Sequence, residues 1–165
     1  PNNEINNIIL PDREGSNATA VATLGRFVWQ INGSWKLWDA SAGSRSLAIG
    51  NAGGPPDRGS FGSNPQWSVR VPAGGCRIQV ECTAAQELAV NVIFARQGHG
   101  RRIHRLYEDP IINSGAYRHG YAVAEAVFVP AGLYTLVVST SEVGQIGNFS
   151  LRVLSSEEID LSELD

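Results

Sequence analysis

Two cysteines, three histidines and a knot of arginines are the residues whose chemistry could go beyond packing. Cys76 and Cys82 bracket the segment CRIQVEC. A nucleophilic thiol needs exposure at a helix N-terminus or an imidazole beside it, because either lowers its pKa. CRIQVEC instead alternates like a strand, which puts both thiols on its apolar face, and no helical pattern follows either one. On one strand their Cα atoms stand about 20 Å apart at ~3.3 Å per residue. A disulfide needs roughly 4.4–6.8 Å. Buried free thiols are the expectation, and they favour a reducing compartment.

His99, His104 and His119 lack the i,i+4 or paired-cysteine spacing of zinc sites, and His99 sits in Gly98-His99-Gly100, the tip of a hairpin. Calcium takes about 6–8 oxygen ligands, and the loop acids Asp39, Asp57, Glu108 and Asp109 form no tight cluster. No metal and no cofactor is therefore expected. The arginines are more informative. Arg96, Arg101, Arg102 and Arg105 surround the hairpin RQGHGRRIHR, with Arg118 and His119 as candidates to join them. Guanidinium forks suit phosphate and carboxylate groups. Near an anionic membrane each basic residue adds about 1 kcal/mol. These five arginines are the candidate site for anionic phospholipid or a partner, set against the plainer reading of a solvated basic face. Trp35 and Trp38 flank a long loop and admit either stacking on sugars or packing, whereas Trp29 and Trp67 lie in alternating patterns and belong to a core. The sequons at Asn17 and Asn148 are short enough to arise by chance.

The elements that must position these residues read as strands. Alternating apolar sets run through Phe27–Ile31, Trp67–Val71, Ile78–Val80, Leu88–Phe94, Arg101–Tyr107, Tyr121–Val129, Tyr134–Val138 and Phe149–Val153. Within Arg101–Tyr107, Ile103 and Tyr107 are expected to face inward. No stretch keeps a helical period. About eight strands spaced by turn signals predict an all-β chain, an antiparallel β-sandwich. Val71-Pro72-Ala73-Gly74 recurs as Val129-Pro130-Ala131-Gly132, as though one corner were used twice. Residues 1–22 read as a linker, or as an N-terminal arm that packs through Ile8–Leu10. Residues 23–155 form the sandwich, and residues 156–165 an acidic tail that buries little. The Gly- and Ser-rich loop over 40–63 is long for a compact domain, which marks it as mobile or functional.

With 165 residues and 42% apolar content, the chain has enough interior for one domain. A net charge of −3 argues against nucleic acid as a partner. No apolar run is long enough to span a bilayer, and no secretion signal opens the chain. Starting at Pro1 and lacking Met, it reads as an excised domain of a longer protein.

Several fragments fall in the order of a known family. Gly33-Ser34-Trp35, Ala52-Gly53-Gly54 and Asn64-Pro65-Gln66 resemble the start of domain III of calpain cysteine proteases. Val129-Pro130-Ala131-Gly132 with Tyr134, Ser139-Thr140, and Gly147 with Phe149, Leu151 and Val153 resemble its end. The resemblance covers residues 25–155 and marks Trp35, Asn64, Pro65, Tyr134 and Phe149 as structural positions. It implies a C2-like, calpain domain III-like sandwich, a non-catalytic module of a calpain-like cysteine protease whose catalytic residues lie in a separate core. The acidic loop of animal calpains has no counterpart here, so the chain looks most like the PalB-type branch, which has lost calcium dependence. The resemblance further implies a cytoplasmic protein recruited to endosomal membranes. Its implied partners are the rest of the parent protease, ESCRT-related proteins and anionic membrane. The alternative is an extracellular carbohydrate-binding or adhesion sandwich built on Trp35 and Trp38.

Overall fold

The computed structural model describes the backbone of residues 6–9 and all atoms of residues 27–37 and 50–165. Eleven strands alternate along these residues: β1 (Asn6–Ile9), β2 (Phe27–Trp35), β3 (Gln66–Val71), β4 (Cys76–Ala84), β5 (Ala89–Ala95), β6 (Ile112–Asn113), β7 (Arg118–His119), β8 (Tyr121–Val129), β9 (Gly132–Thr140), β10 (Gly147–Ser155) and β11 (Asp160–Glu163). They form two antiparallel sheets. One runs β1-β2-β10-β4-β8 and the other β11-β3-β9-β5-β6, with β7 also on β5. The expected antiparallel sandwich is therefore what the chain builds.

Period-two patterning fixes which side chains fill the space between the sheets. Trp29, Ile31 and Trp35 from β2, Ile78, Val80 and Cys82 from β4, and Phe149, Leu151 and Val153 from β10 meet Trp67, Val69, Val92, Phe94, Tyr134 and Leu136 in one core. Gly33 lies opposite Phe149 in the β2–β10 ladder. A Cβ on Gly33 would stand 2.4 Å from the Phe149 ring, so the tip of the ring fills the space that a side chain there would need. Trp35 packs against the same ring, with centroids 4.6 Å apart and planes tilted by 48°. The spacing of glycine and aromatics in both strands suits this contact.

The repeated Val-Pro-Ala-Gly segment carries the chain from one sheet to the other in both places. Residues 72–75 link β3 to β4, and Pro130-Ala131 links β8 to β9. Because β3 pairs with β9 and β4 with β8, the corners lie side by side, with Val71 opposite Gly132 and Cys76 opposite Val129. Tyr134 Oη donates to the Pro130 carbonyl at 2.6 Å and closes the second corner.

Two expectations need correction. Arg101–Tyr107 is not a strand. Ile103 is buried, but its N–H and C=O bond to the Gln66 side chain rather than to a ladder, and Tyr107 is 77% exposed. The acidic tail is not free of the sheets: Ile159 is buried, and Asp160–Glu163 pairs with Arg70–Trp67 as an edge strand. Of the two readings of residues 1–22, Asn6–Ile9 is in keeping with the arm, since it forms β1 and pairs with β2. Of the long loop, residues 50–63 are tightly held, as described below, and residues 40–49 lie outside the described residues.

Candidate binding surface

The segment Asn64-Pro65-Gln66 anchors two loops on the second sheet. Asn64 is buried, its Oδ1 accepting from Gly53 N–H at 3.1 Å and its Nδ2 donating to the carbonyls of Gly54 and Phe61 at 2.8 and 3.0 Å. A Cβ on Gly53 would sit 2.2 Å from the Ser60 carbonyl oxygen, and Gly54 holds φ +73°. Ala-Gly-Gly is thus the backbone that this asparagine can reach. Gln66, also buried, donates to the carbonyls of Gly62 and Ile103 and accepts from Ile103 N–H at 2.8 Å. Unpaired, such buried groups would cost about 1–3 kcal/mol each.

Gln66 thereby fixes the arginine-rich loop from beneath. Thr135 Oγ1 donates to the Arg101 carbonyl at 2.7 Å, and Gln97 bonds Arg105, Tyr107 and Glu108 through their backbone. Ile103 completes a second apolar cluster with Phe61, Ile93, Ala95 and Val137, with Leu106 against it, which covers the outer face of β5 and β9. The loop is a plate pinned through its peptide groups, those of Arg101 and Ile103 from beneath and those of Arg105, Tyr107 and Glu108 by Gln97. Around it lies a shallow groove of about 400 Å³ lined by Gln97, His99, Arg101, His104, Arg105 and Tyr107, among others.

The five candidate arginines do not act as one group. Arg101 and Arg105 are exposed, and neither side chain has an ion pair or hydrogen bond among the described residues. Arg96 is exposed as well, its guanidinium carbon 6.0 Å from the centre of the Tyr134 ring. Arg102 is different. Its Nε donates to the Asp165 carbonyl at 2.9 Å, its Nη1 to those of Gly62 and Asn64 at 2.7 and 2.9 Å, and its Nη2 to that of Leu164 at 2.7 Å. Four of its five N–H donors are engaged, and burial lowers its pKa while Asp165 and Glu163 raise it. It ties the C-terminal strand to the loops and is not free for an anion. Arg118 sits opposite Val90 at the start of β5, whereas Arg96 follows the end of that strand. At ~3.3 Å per residue this puts Arg118 and His119 about 20 Å from the hairpin.

Trp35 is buried, with its indole N–H directed at the Val138 carbonyl, so its face cannot stack on a sugar. Trp38 lies outside the described residues. Nothing in the sequence distinguished Arg102 from its neighbours, because its acceptors are carbonyls from distant segments. The role of Gln66 was hidden for the same reason, although its place beside Asn64 in a strand entry was a signal.

No protein-family model matches the chain. Over 115 residues it is 34% identical to the calpain-like protease palB of Emericella nidulans, an alignment covering 68% of this chain and 13% of that protein. It is 32% identical over 130 residues to the palB/RIM13 calpain-like protease of Aspergillus oryzae, covering 78% and 14%. The palB/RIM13 protease of Cryptococcus neoformans is 29% identical over 123 residues, covering 72% and 15%. The chain is a PalB-type calpain-related domain. The matched part spans only 13–15% of the length of these relatives.

In this PalB-type domain the two thiols are free and buried in the core. Burial, with Glu157 adding to it, pushes Cys76 up to about 11. Burial alone pushes Cys82 up to about 12. Neither is a thiolate near neutral pH, and a neutral, enclosed thiol is a poor nucleophile. Among the described residues no three His, Cys, Asp or Glu side chains converge as metal ligands.

Proposed function

We propose that this domain is a non-catalytic, calcium-independent C2-like module of a calpain-like cysteine protease, and that Arg101 and Arg105 dock it on anionic phospholipid. The observation that carries this reading is two guanidinium groups left without counter-charges on a loop whose backbone is pinned from below. A rigid basic plate loses little conformational freedom on meeting a charged surface. His99 and Arg96 extend it, while Arg102 and Arg118 are set aside by their geometry. The buried thiols support the non-catalytic role, and the scattered loop acids support calcium independence. As part of the same proposal, the domain braces the protease core and operates in the cytoplasm, from which it is recruited to endosomal membranes where ESCRT-related proteins assemble.

Co-flotation with liposomes containing phosphatidylserine at low salt tests the docking surface. Binding is expected for the wild type without calcium, to weaken as salt rises, and to be lost in Arg101→Glu/Arg105→Glu with an unchanged melting temperature. If the wild type fails to float, lipid docking falls, and capture of ESCRT-related proteins by the same surface becomes the reading to test.

A further inference from the structure

Among the described residues, the edges of the two sheets are unequal. β1 and β11 are four residues long, and β6 and β7 two residues each. Short edges are a common protection against unwanted pairing. β8 is nine residues long, pairs only with β4, and carries a single charged side chain, Glu125. No hydrogen bond joins its outer edge to any other described residue. Its outward row is apolar apart from Glu125: Tyr121 is 44% exposed, Val123 41% and Val127 77%. The adjacent Phe128 is 60% exposed and leans over Gly75, where β8 places Val127 and Phe128 opposite the single residue Arg77.

The sequence of this edge reads nearly the same in both directions. Val123-Ala124-Glu125-Ala126-Val127 is a palindrome centred on Glu125. An antiparallel pair of identical strands is two-fold symmetric, so the partner's residues run in reverse across the axis. Centred on Glu125, that pairing sets Val123 against Val127 of the partner and Ala124 against Ala126, two matched pairs of similar size. The two glutamates meet on the axis. Each arrives bonded to its own Arg77 at 2.6 Å, so the centre holds two carboxylates with two guanidinium groups.

From this juxtaposition we propose that β8 is a homodimer interface, at which two copies of the domain join their five-stranded sheets edge to edge into one continuous sheet. The pairing satisfies the edge's backbone groups that no described residue pairs with, and covers Val123 and Val127.

Sedimentation velocity over a range of concentrations tests this, with two variants that differ only in sign. Wild type is expected to shift from monomer to dimer as concentration rises. Val123→Lys/Val127→Lys sets lysine against lysine across the interface and is expected to weaken dimerisation about tenfold or more. Val123→Lys/Val127→Glu sets lysine against glutamate in the same register and is expected to restore it. Both positions are surface sites, and circular dichroism checks that each variant folds. A wild type that stays monomeric throughout would overturn the proposal. Equal behaviour of the two variants would also overturn it, since the register requires them to differ. Binding of a strand from another protein to a monomeric β8 would replace the second copy as the occupant.

Discussion

Asn64 and Phe149 hold the same region by different physics. Asn64 satisfies one N–H and two carbonyls in the interior. Replacing it with alanine leaves the Gly53 N–H and the Gly54 carbonyl unpaired, while the Phe61 carbonyl keeps its bond from the residue-64 backbone N–H, so Asn64→Ala is expected to cost about 2–4 kcal/mol. Phe149 contributes contact area between Trp35 and Trp67, at centroid distances of 4.6 and 6.1 Å. Phe149→Ala opens a cavity over Gly33 and is expected to cost about 3–5 kcal/mol. Against a typical stability of about 5–15 kcal/mol, either loss is large. Urea unfolding of both variants checks the pair. A loss under about 1 kcal/mol for Phe149→Ala would be incompatible with the ring packing described.

At the scale of elements, strands with a repeating apolar face were legible in the sequence, because burial on one side imposes period two. The core-facing sets around Trp29, Trp67, Ile78, Val92, Leu136 and Leu151 were all found this way. Two kinds of segment were not legible. β11 has alternation too short and too acidic to stand out, and it joins the sheet because the Arg70–Trp67 edge is open to it. Arg101–Tyr107 alternates by accident: Ile103 is drawn in by Gln66 and by the second apolar cluster, not by a strand. The same limit applies to the candidate site, since the basic hairpin could be read from composition but the engagement of Arg102 could not. Its role gives a prediction for the element it secures. Arg102→Ala removes four bonds to the loops and the C-terminal strand, so amides of Asp160–Glu163 are expected to exchange with solvent at least tenfold faster, with smaller changes in β10. Hydrogen exchange measures this directly, and unchanged rates at β11 would mean that the strand is held by its pairing with β3 alone.

For the molecule as a whole, the buried thiols couple folding to alkaline pH. In the unfolded chain a cysteine ionises near the ordinary 9.0, while in the fold Cys82 is held up to about 12. Between these values the folded state binds more protons than the unfolded one, so stability falls as pH rises. The stabilisation is complete below about pH 9 and is lost progressively from there to about pH 12. Cys76 and Tyr117, both raised chiefly by burial, act in the same direction. By about pH 10.5, Cys82 alone is expected to cost about 2 kcal/mol relative to neutral pH. Urea unfolding at the two pH values checks this, and Cys82→Ala is expected to flatten the slope.

The paired Val-Pro-Ala-Gly corners bear on how the sandwich comes together. Val71 and Gly132 are distant in sequence yet adjacent in the fold, as are Cys76 and Val129. Closing the long intervening loop is an entropic cost that must be met before either pairing is rewarded. Once β3 has met β9, however, the start of β4 and the end of β8 are separated from that pairing only by the two short corners. The second closure then adds little cost, so nucleation of one sheet brings the strands of the other into register. The corners act as a kinetic coupling between the sheets and favour their assembly as a single cooperative unit.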